Sequence, residues 1–542
     1  MTAPAGRTGL FPIGPTTPLN FASGSPERSS IRAALDEVGA TSWEVASVID
    51  GQETRTGRTM PIVTPHEHSR ELGQLHLAGI EQVQAAIDAA AKASRWWGSL
   101  PWEERAAPFL RAADMLQLGS WRDRLNAATM LELSKTTYQA DIDAACETID
   151  FIRMNVKTML DMYSVQPGSA PGAWNRAEYR PLEGFVFAVT PFNFTCMNNL
   201  AFGPALLGNT VVWKPAESAS LVAHLSLQLL REAGLPDGVI NVVYGIGSEL
   251  GPAALTHRDL AAVHFTGSTA TFQNIWRTVG ENIASYRNYP RIVGETGGKD
   301  FILAHASADL DALAVACVRG AYEYQGQKCS AASRLYVPRS LWPALRQRLV
   351  ELTAQVKVGD PTDPEVYVGA VINARQHAKH AKALSQARAE GLVVAGGGTD
   401  DSVGWFVDPT ILEVDDPRSP LLTEELFAPV LTTFVYEDNQ WDEVLRLVDT
   451  STPYGLTGAV FAEDRVAVQD ADRALRYAAG NFYVNDKPTG SVVGMQPFGG
   501  ARASGTNDKA GTVWNMIRFA SPRSVKENHL AVRDYRYPHL EP

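Results

Sequence analysis

Cysteine is scarce in this chain: four among 542 residues, Cys146, Cys196, Cys317 and Cys329, with no C-x-x-C pair. That excludes a disulfide scaffold, a zinc ribbon and a thioredoxin-like redox site, and any cysteine that matters does so as a thiol. Dense runs of Lys or Arg are missing, and 48 basic against 60 acidic side chains give a formal charge of -12. The diffuse attraction to phosphate polymers is therefore weak, and no nucleic-acid partner is expected. No apolar stretch reaches the ~18 residues of a spanning helix, so no membrane partner is expected either. The first thirty residues hold five prolines, no continuous apolar run and only Arg7 before Arg28. They read neither as a secretory signal nor as an arginine-rich mitochondrial leader, and the expectation is a cytoplasmic protein. The G-x-G-x-x-G dinucleotide fingerprint is absent too: after Gly245-Ile246-Gly247 the next glycine, Gly251, comes one position late. That cluster reads first as a tight turn.

What is present is an ordinary globular composition, 45% hydrophobic with 44 Gly and 32 Pro. At the usual ~150 residues per domain, the length suggests three or four domains. The segment to about Gly79 is rich in Pro, Gly, Thr and Ser and reads as an extended lead-in with short strands. From Ile80, Val83, Ile87 and Ala90 share a helical face, and a second helix is expected from Pro101, with Glu103 and Glu104 in its first turn. Helical patterning continues to about Met162. Short runs rich in Val and Phe follow at 184–190, 209–215, 239–245 and 261–268, as in strands buried on both faces of a parallel sheet. Between the second and third lies a helix with Leu221, Leu225 and Leu229 on one face and Gly234 at its stop. This alternation predicts a doubly wound α/β sheet. A second α/β region is read from about Phe301 to Ala503, and Thr512–Pro542 as an extended basic and aromatic arm.

Several segments could carry chemistry. Phe265-Thr266-Gly267-Ser268-Thr269 ends a strand and opens a helix, which suits a pyrophosphate and equally suits a plain capped turn. Lys214-Pro215-Ala216-Glu217 ends another strand where ligands lie in open α/β sheets, and a cation and a carboxylate there can reach ribose hydroxyls. In Gly294-Glu295-Thr296-Gly297-Gly298-Lys299 a carboxylate stands between glycines. Cys329, in Gly-Gln-Lys-Cys-Ser, has a polar context unlike that of a structural cysteine such as Cys317 in LAVACV. A nucleophile and an idle thiol both remain open on these residues alone.

Over roughly residues 40 to 525 the chain resembles the NAD(P)-dependent aldehyde dehydrogenase superfamily. The strings that carry the resemblance stand in the family's order: T-P-F-N-F (190–194), W-K-P-A-E (213–217), F-T-G-S-T (265–269), E-T-G-G-K (295–299), G-Q-K-C-S (326–330), E-E-L-F-A-P-V (424–430) and P-F-G-G (497–500). The resemblance implies an α/β fold with a Rossmann-like NAD-binding domain (1–164 and 187–296), an α/β catalytic domain (297–510) and a small β oligomerisation arm (165–186 and 511–542). It implies Cys329 as nucleophile, Asn193 as oxyanion donor with the Cys329 backbone N–H, and Glu295 as the base that activates water. Thr190, Lys214, Glu217, Gly267, Ser268, Glu425 and Phe427 match cofactor-binding positions. Glu217 at the adenine ribose favours NAD over NADP, because a carboxylate repels a 2′-phosphate. No metal is implied. Two positions depart from the family pattern: Phe272 replaces the Gly usual four positions after Ser268, and Ala428 a common Gly.

Within the family, AYEYQGQKCSAASRLYVP and NDKPTGSVVG are most similar to the branch acting on L-glutamate γ-semialdehyde, the open form of 1-pyrroline-5-carboxylate, in proline breakdown. There Ser330, Gly490 and Ser491 are implied to hold the amino-acid carboxylate, and Phe272 is familiar. The nearest alternative, a succinic semialdehyde dehydrogenase, would be expected to carry an Arg for the far carboxylate. An intact Glu295 favours water over coenzyme A as the acyl acceptor. The arm implies a homodimer or an assembly of dimers.

Overall fold

A computed structural model describes residues 14–540. Two seven-stranded sheets dominate it. The first runs, in spatial order, Arg291–Glu295, Leu260–Thr266, Phe185–Thr190, Thr210–Pro215, Ile240–Val242, Ser47–Ile49 and Gln52–Thr54. Its first five strands are parallel, and the last two add antiparallel. Their Val, Phe and Ala side chains are buried on both faces, as the continuous apolar runs require. From Phe185–Thr190 the chain order proceeds outward to Thr210–Pro215 and Ile240–Val242. It then returns to the other side for Leu260–Thr266 and Arg291–Glu295. This reversal opens a crevice beyond the carboxyl ends of Phe185–Thr190 and Leu260–Thr266, the place where doubly wound sheets take ligands.

The second sheet runs Val393–Ala395, Thr410–Val414, Val430–Tyr436, Ala332–Pro338, Asp300–Ala304, Thr457–Phe461 and Asn481–Val484. All its pairings are parallel except the first. Helices cover both sheets. Ser220–Glu232 buries Leu221, Leu225 and Leu229, and its chain turns away at Gly234 with φ +97°. Leu310–Tyr322 buries Cys317 completely, and desolvation raises that thiol's pKa. No helix among the described residues is long and apolar enough to cross a membrane.

Two segments differ from the sequence reading. The lead-in is not extended throughout, because Pro26–Ala40 is a helix packed on the helix Trp121–Leu133. Ser25 caps it by accepting from the Arg28 N–H, Pro26 opens its first turn, and Ile31, Ala34 and Val38 form its buried stripe. The arm is extended only from Ala520. Before it, Val513–Phe519 is helical and places Met516 and Phe519 in the largest apolar core. From there Ala520–Asn528 pairs antiparallel with Ala173–Pro181 over nine residues, as a two-stranded ribbon. The reading of the N-terminus as leaderless rests partly on residues 1–13, which lie outside the described residues.

Candidate active site

The carboxyl end of the first sheet meets the amino end of the second. Glu295 is the last residue of its strand, and the backbone turns at once through Gly297 and Gly298 into the strand Asp300–Ala304. Neither glycine has room for a side chain. A Cβ on Gly297 would fall on the Glu425 carboxylate, and one on Gly298 would fall on the Cys329 carbonyl oxygen. The Glu425 carboxylate in turn accepts the Gly298 N–H at 2.9 Å. Glu295, Cys329 and Glu425 are thus brought together by close backbone packing that only glycine permits.

Cys329 lies in a turn three residues ahead of the strand Ala332–Pro338 and is half-buried. The approach to it is strained: Tyr324 and Gln325 both take left-handed backbone, with φ of 51° and 57°. Gln327 then presents its carbonyl to Asn193, whose side-chain amide donates at 3.0 Å. Burial pushes the Cys329 thiol up, Glu295, Asp300 and Glu425 push it further, and the Ser330 backbone N–H acts against them. Glu295 is itself pushed up to about 8 by burial, against the pull of the Lys509 ammonium and with a contribution from Asp508. A charge on Glu295 therefore disfavours the thiolate at Cys329.

Ser330 is joined to the segment expected to hold a carboxylate. Its hydroxyl shares a 2.8 Å hydrogen bond with Thr489, next to Gly490, which turns with φ +87°. Ser491 follows, half-buried. Lys487 donates to the Thr489 carbonyl at 3.0 Å, so a cation lies under this loop. Thr489 and Lys487 were not singled out from the sequence; NDKPTG carries them without a pattern that sets them apart.

The cofactor positions line the crevice. Lys214 and Glu217 form a 2.8 Å ion pair at the end of Thr210–Pro215, and Gly247 lies beside the Lys214 ammonium at the start of the helix Gly247–Leu255. The Thr190 hydroxyl accepts the indole N–H of the buried Trp213 at 2.9 Å. Ser268 caps the helix Thr269–Glu281 by accepting from Thr271 N–H, so the turn is the capped type. The Gly267 N–H donates to the Glu295 carbonyl at 3.2 Å, and the Ser268 hydroxyl is also within 2.8 Å of the Thr271 hydroxyl. Phe427 adopts left-handed backbone, φ 63°, with its ring edge-on to Phe192 at 6.0 Å. Phe272 has a local explanation. It stacks on Phe265 at 5.5 Å and occupies the space a Cβ on Gly294 would need, filling the gap beneath Glu295's strand. An ion pair for hydroxyls, a helix amino end and a second carboxylate at Glu425 are a donor and acceptor set that fits a dinucleotide.

Comparison with known proteins bears on the family and the fold. The profile of the aldehyde dehydrogenase family matches residues 52–525. A delta-1-pyrroline-5-carboxylate dehydrogenase of Agaricus bisporus is 47% identical over 532 residues, 97% of each chain. The human mitochondrial protein of the same name is 45% identical over 527 residues, 96% of this chain and 93% of the relative. Among solved structures, the delta-pyrroline-5-carboxylate dehydrogenase of Mycobacterium tuberculosis bound with NAD superposes with a TM-score of 0.95 at 48% identity, covering 99% of this chain and 100% of that one. The chain described here belongs to the aldehyde dehydrogenase family.

Proposed function

We propose that this chain oxidises L-glutamate γ-semialdehyde, the open form of 1-pyrroline-5-carboxylate, to L-glutamate with NAD, in proline catabolism. The observation that carries the reading is one continuous set of contacts. The Asn193 amide lies 3.0 Å from the carbonyl two residues before Cys329, and Ser330 lies 2.8 Å from Thr489, in the loop that continues into Gly490 and Ser491. A reacting carbonyl at Cys329 and a carboxylate at 489–491 are thereby held by one rigid unit. The names of the relatives and the NAD in the Mycobacterium structure support the substrate and the cofactor.

In this reading Lys214 and Glu217 hold the adenine ribose, Gly267 and Ser268 lie at the pyrophosphate, and Thr190, Glu425 and Phe427 border the nicotinamide half. NAD, when bound, accepts the hydride released from the aldehyde carbon. Loss of one proton from the Cys329–Glu295 pair gives the reactive state. The thiol proton passes to Glu295 as the sulfur bonds to the carbonyl carbon, and the carbonyl oxygen becomes an oxyanion. Asn193 and the Cys329 backbone N–H donate to that oxyanion. Its collapse with loss of hydride leaves a thioester on Cys329. Glu295, once ionised again, takes a proton from water, the hydroxide adds to the acyl carbon, and the C–S bond breaks. The acid leaves, and the sulfur departs as thiolate and recovers a proton.

A direct test follows NADH formation with glutamate γ-semialdehyde beside succinic semialdehyde and propionaldehyde. A loop that hydrogen-bonds the amino-acid carboxylate should favour the first by up to ~10⁴ in kcat/KM. Equal efficiency on all three would discard the substrate while keeping the dehydrogenase chemistry. Cys329→Ser should abolish NADH formation, whereas Glu295→Gln should give one burst without steady turnover. We further propose a cytoplasmic protein that is a homodimer or an assembly of dimers, its subunits joined through the ribbon of Ala173–Pro181 and Ala520–Asn528. A lower KM for NADP than for NAD would remove Glu217's part in cofactor choice.

A further inference from the structure

A buried ion pair outside the site ties together the two loops that must meet at the reacting carbonyl. Lys135 and Asp143 are bonded at 2.6 Å, and each side chain is 1% exposed. Lys135 follows the corner at Ser134 that ends the helix Trp121–Leu133, a residue in left-handed backbone with φ 55°. Asp143 sits in a π-helical stretch, Asp141–Glu147, a local irregularity of the kind that re-aims side chains at functional sites. What the pair touches gives it a role. The two carboxylate oxygens of Asp143 accept the backbone N–H groups of Thr195 and Cys196, both at 2.9 Å, so Asp143 grips the chain directly after Asn193 and Phe194. The Lys135 ammonium lies between two rings, 4.3 Å from the centroids of both Phe194 and Tyr324. Phe194 adjoins Asn193, and Tyr324 opens the strained approach to Cys329. A second tie runs in parallel, from the Gln325 amide to the Ser134 carbonyl at 2.9 Å and to the Ala370 carbonyl at 2.8 Å.

We infer that Lys135 and Asp143 are positioning residues for the reaction: with the Lys135 ammonium against Phe194 and Tyr324 and the Asp143 carboxylate on the Thr195 and Cys196 amides, the pair sets the Asn193 amide at its distance from the Cys329 loop. The inference rests on the assignment of Asn193 and Cys329 made above. Neither Lys135 nor Asp143 touches the substrate, and both act through Asn193. A cation held between two aromatic faces and bonded to a carboxylate that itself grips the next two amides has little freedom to move. An oxyanion donor needs that rigidity, because displacement of a reacting group by ~1 Å costs about 100-fold in rate.

The test measures the NADH burst rate, the KM for NAD and the thermal midpoint in full-length Lys135→Met, Asp143→Asn and Phe194→Leu. Each is made alone and together with Asn193→Ala. Phe194→Leu removes one clamping ring without orphaning a buried charge and is the variant that decides if the other two do not fold. The expected result is a burst rate lowered by about 100-fold in the ion-pair variants and about 10-fold in Phe194→Leu, with KM for NAD changed less than about twofold. In the Asn193→Ala background each of these losses should shrink to about twofold or less, since the residue they act through is gone. A burst rate per folded molecule unchanged from wild type, or losses that simply multiply with that of Asn193→Ala, would overturn the inference. A wild-type burst in Asn193→Ala alone would instead remove the oxyanion assignment beneath it.

Discussion

Glu295 is held in a state that makes its pH dependence readable. Its carboxyl lies in a buried position and is pushed up to about 8, so it is protonated at neutral pH and becomes a base as pH rises. Thioester hydrolysis should therefore climb with pH, about tenfold per unit well below 8, and level above it. Lys509 is the cation that works against the upward push, with its ammonium donating at 2.7 Å to both the Gly480 and Gly499 carbonyls. Lys509→Met removes the charge that favours the ionised form, so the ascending limb of kcat should move to higher pH. An unmoved limb would show that Lys509 does not reach Glu295 electrostatically. Glycines and polar neighbours drew attention to Cys329 and Glu295 in the sequence, in contrast to Cys317, but only the family resemblance implied their roles. Lys509, Lys135, Asp143 and Thr489 were not legible there. Their significance lies in contacts with residues between 52 and 214 positions away, which no local pattern contains.

The strand Arg291–Glu295 shows how one element serves two purposes. Glu295 ends it at the site, and Arg291 begins it by donating to the carbonyls of Ile517, Arg518 and Ala520 at 2.9, 2.8 and 2.6 Å. The last helical turn before the ribbon is thus fastened to the sheet by the Arg291 guanidinium, and Arg518 donates back to the Ile292 carbonyl at 3.2 Å. Arg291→Met would take that donor from the Arg518 and Ala520 carbonyls, while Ile517 keeps the Ala520 N–H, and a loss of ~3 kcal/mol in unfolding free energy is expected by denaturant titration. A loss below ~0.5 kcal/mol would show that water replaces the guanidinium there. Beside it, Gly294→Ala should lower stability unless combined with a smaller residue at Phe272, whose ring holds the space a Cβ needs. A double variant no better than Gly294→Ala alone would remove that coupling. The central strands were legible because burial on both faces writes a continuous apolar run. The helix Pro26–Ala40 was not, although Ser25-Pro26-Glu27 supplied a cap, a first-turn proline and an acid. Its exposed face is dense in Ser, Arg and Glu, and three buried positions spaced over eight residues make a faint stripe.

At the scale of the whole molecule, the chain continues past the ribbon into a tail that its own surface does not cover. Leu530, Val532, Tyr535, Tyr537 and Leu540 are each more than half exposed, as is Trp174 on the ribbon's other strand. A row of large apolar side chains in water is costly for a monomer, and contiguous patches of this kind mark contacts with other chains. The ribbon is also only two strands wide, and a two-stranded sheet is marginal in water without further packing. Both features are accounted for if the ribbon and tail lie against a second copy, so the full-length protein should sediment at twice 58.8 kDa or a higher even multiple. The double change Val532→Asp and Tyr535→Asp should shift that species toward the protomer mass. Both side chains are more than four-fifths exposed, so the fold of each protomer has little to lose. A variant that still sediments as wild type would place the subunit contact elsewhere. A monomeric wild type would leave the tail's apolar row to a different partner.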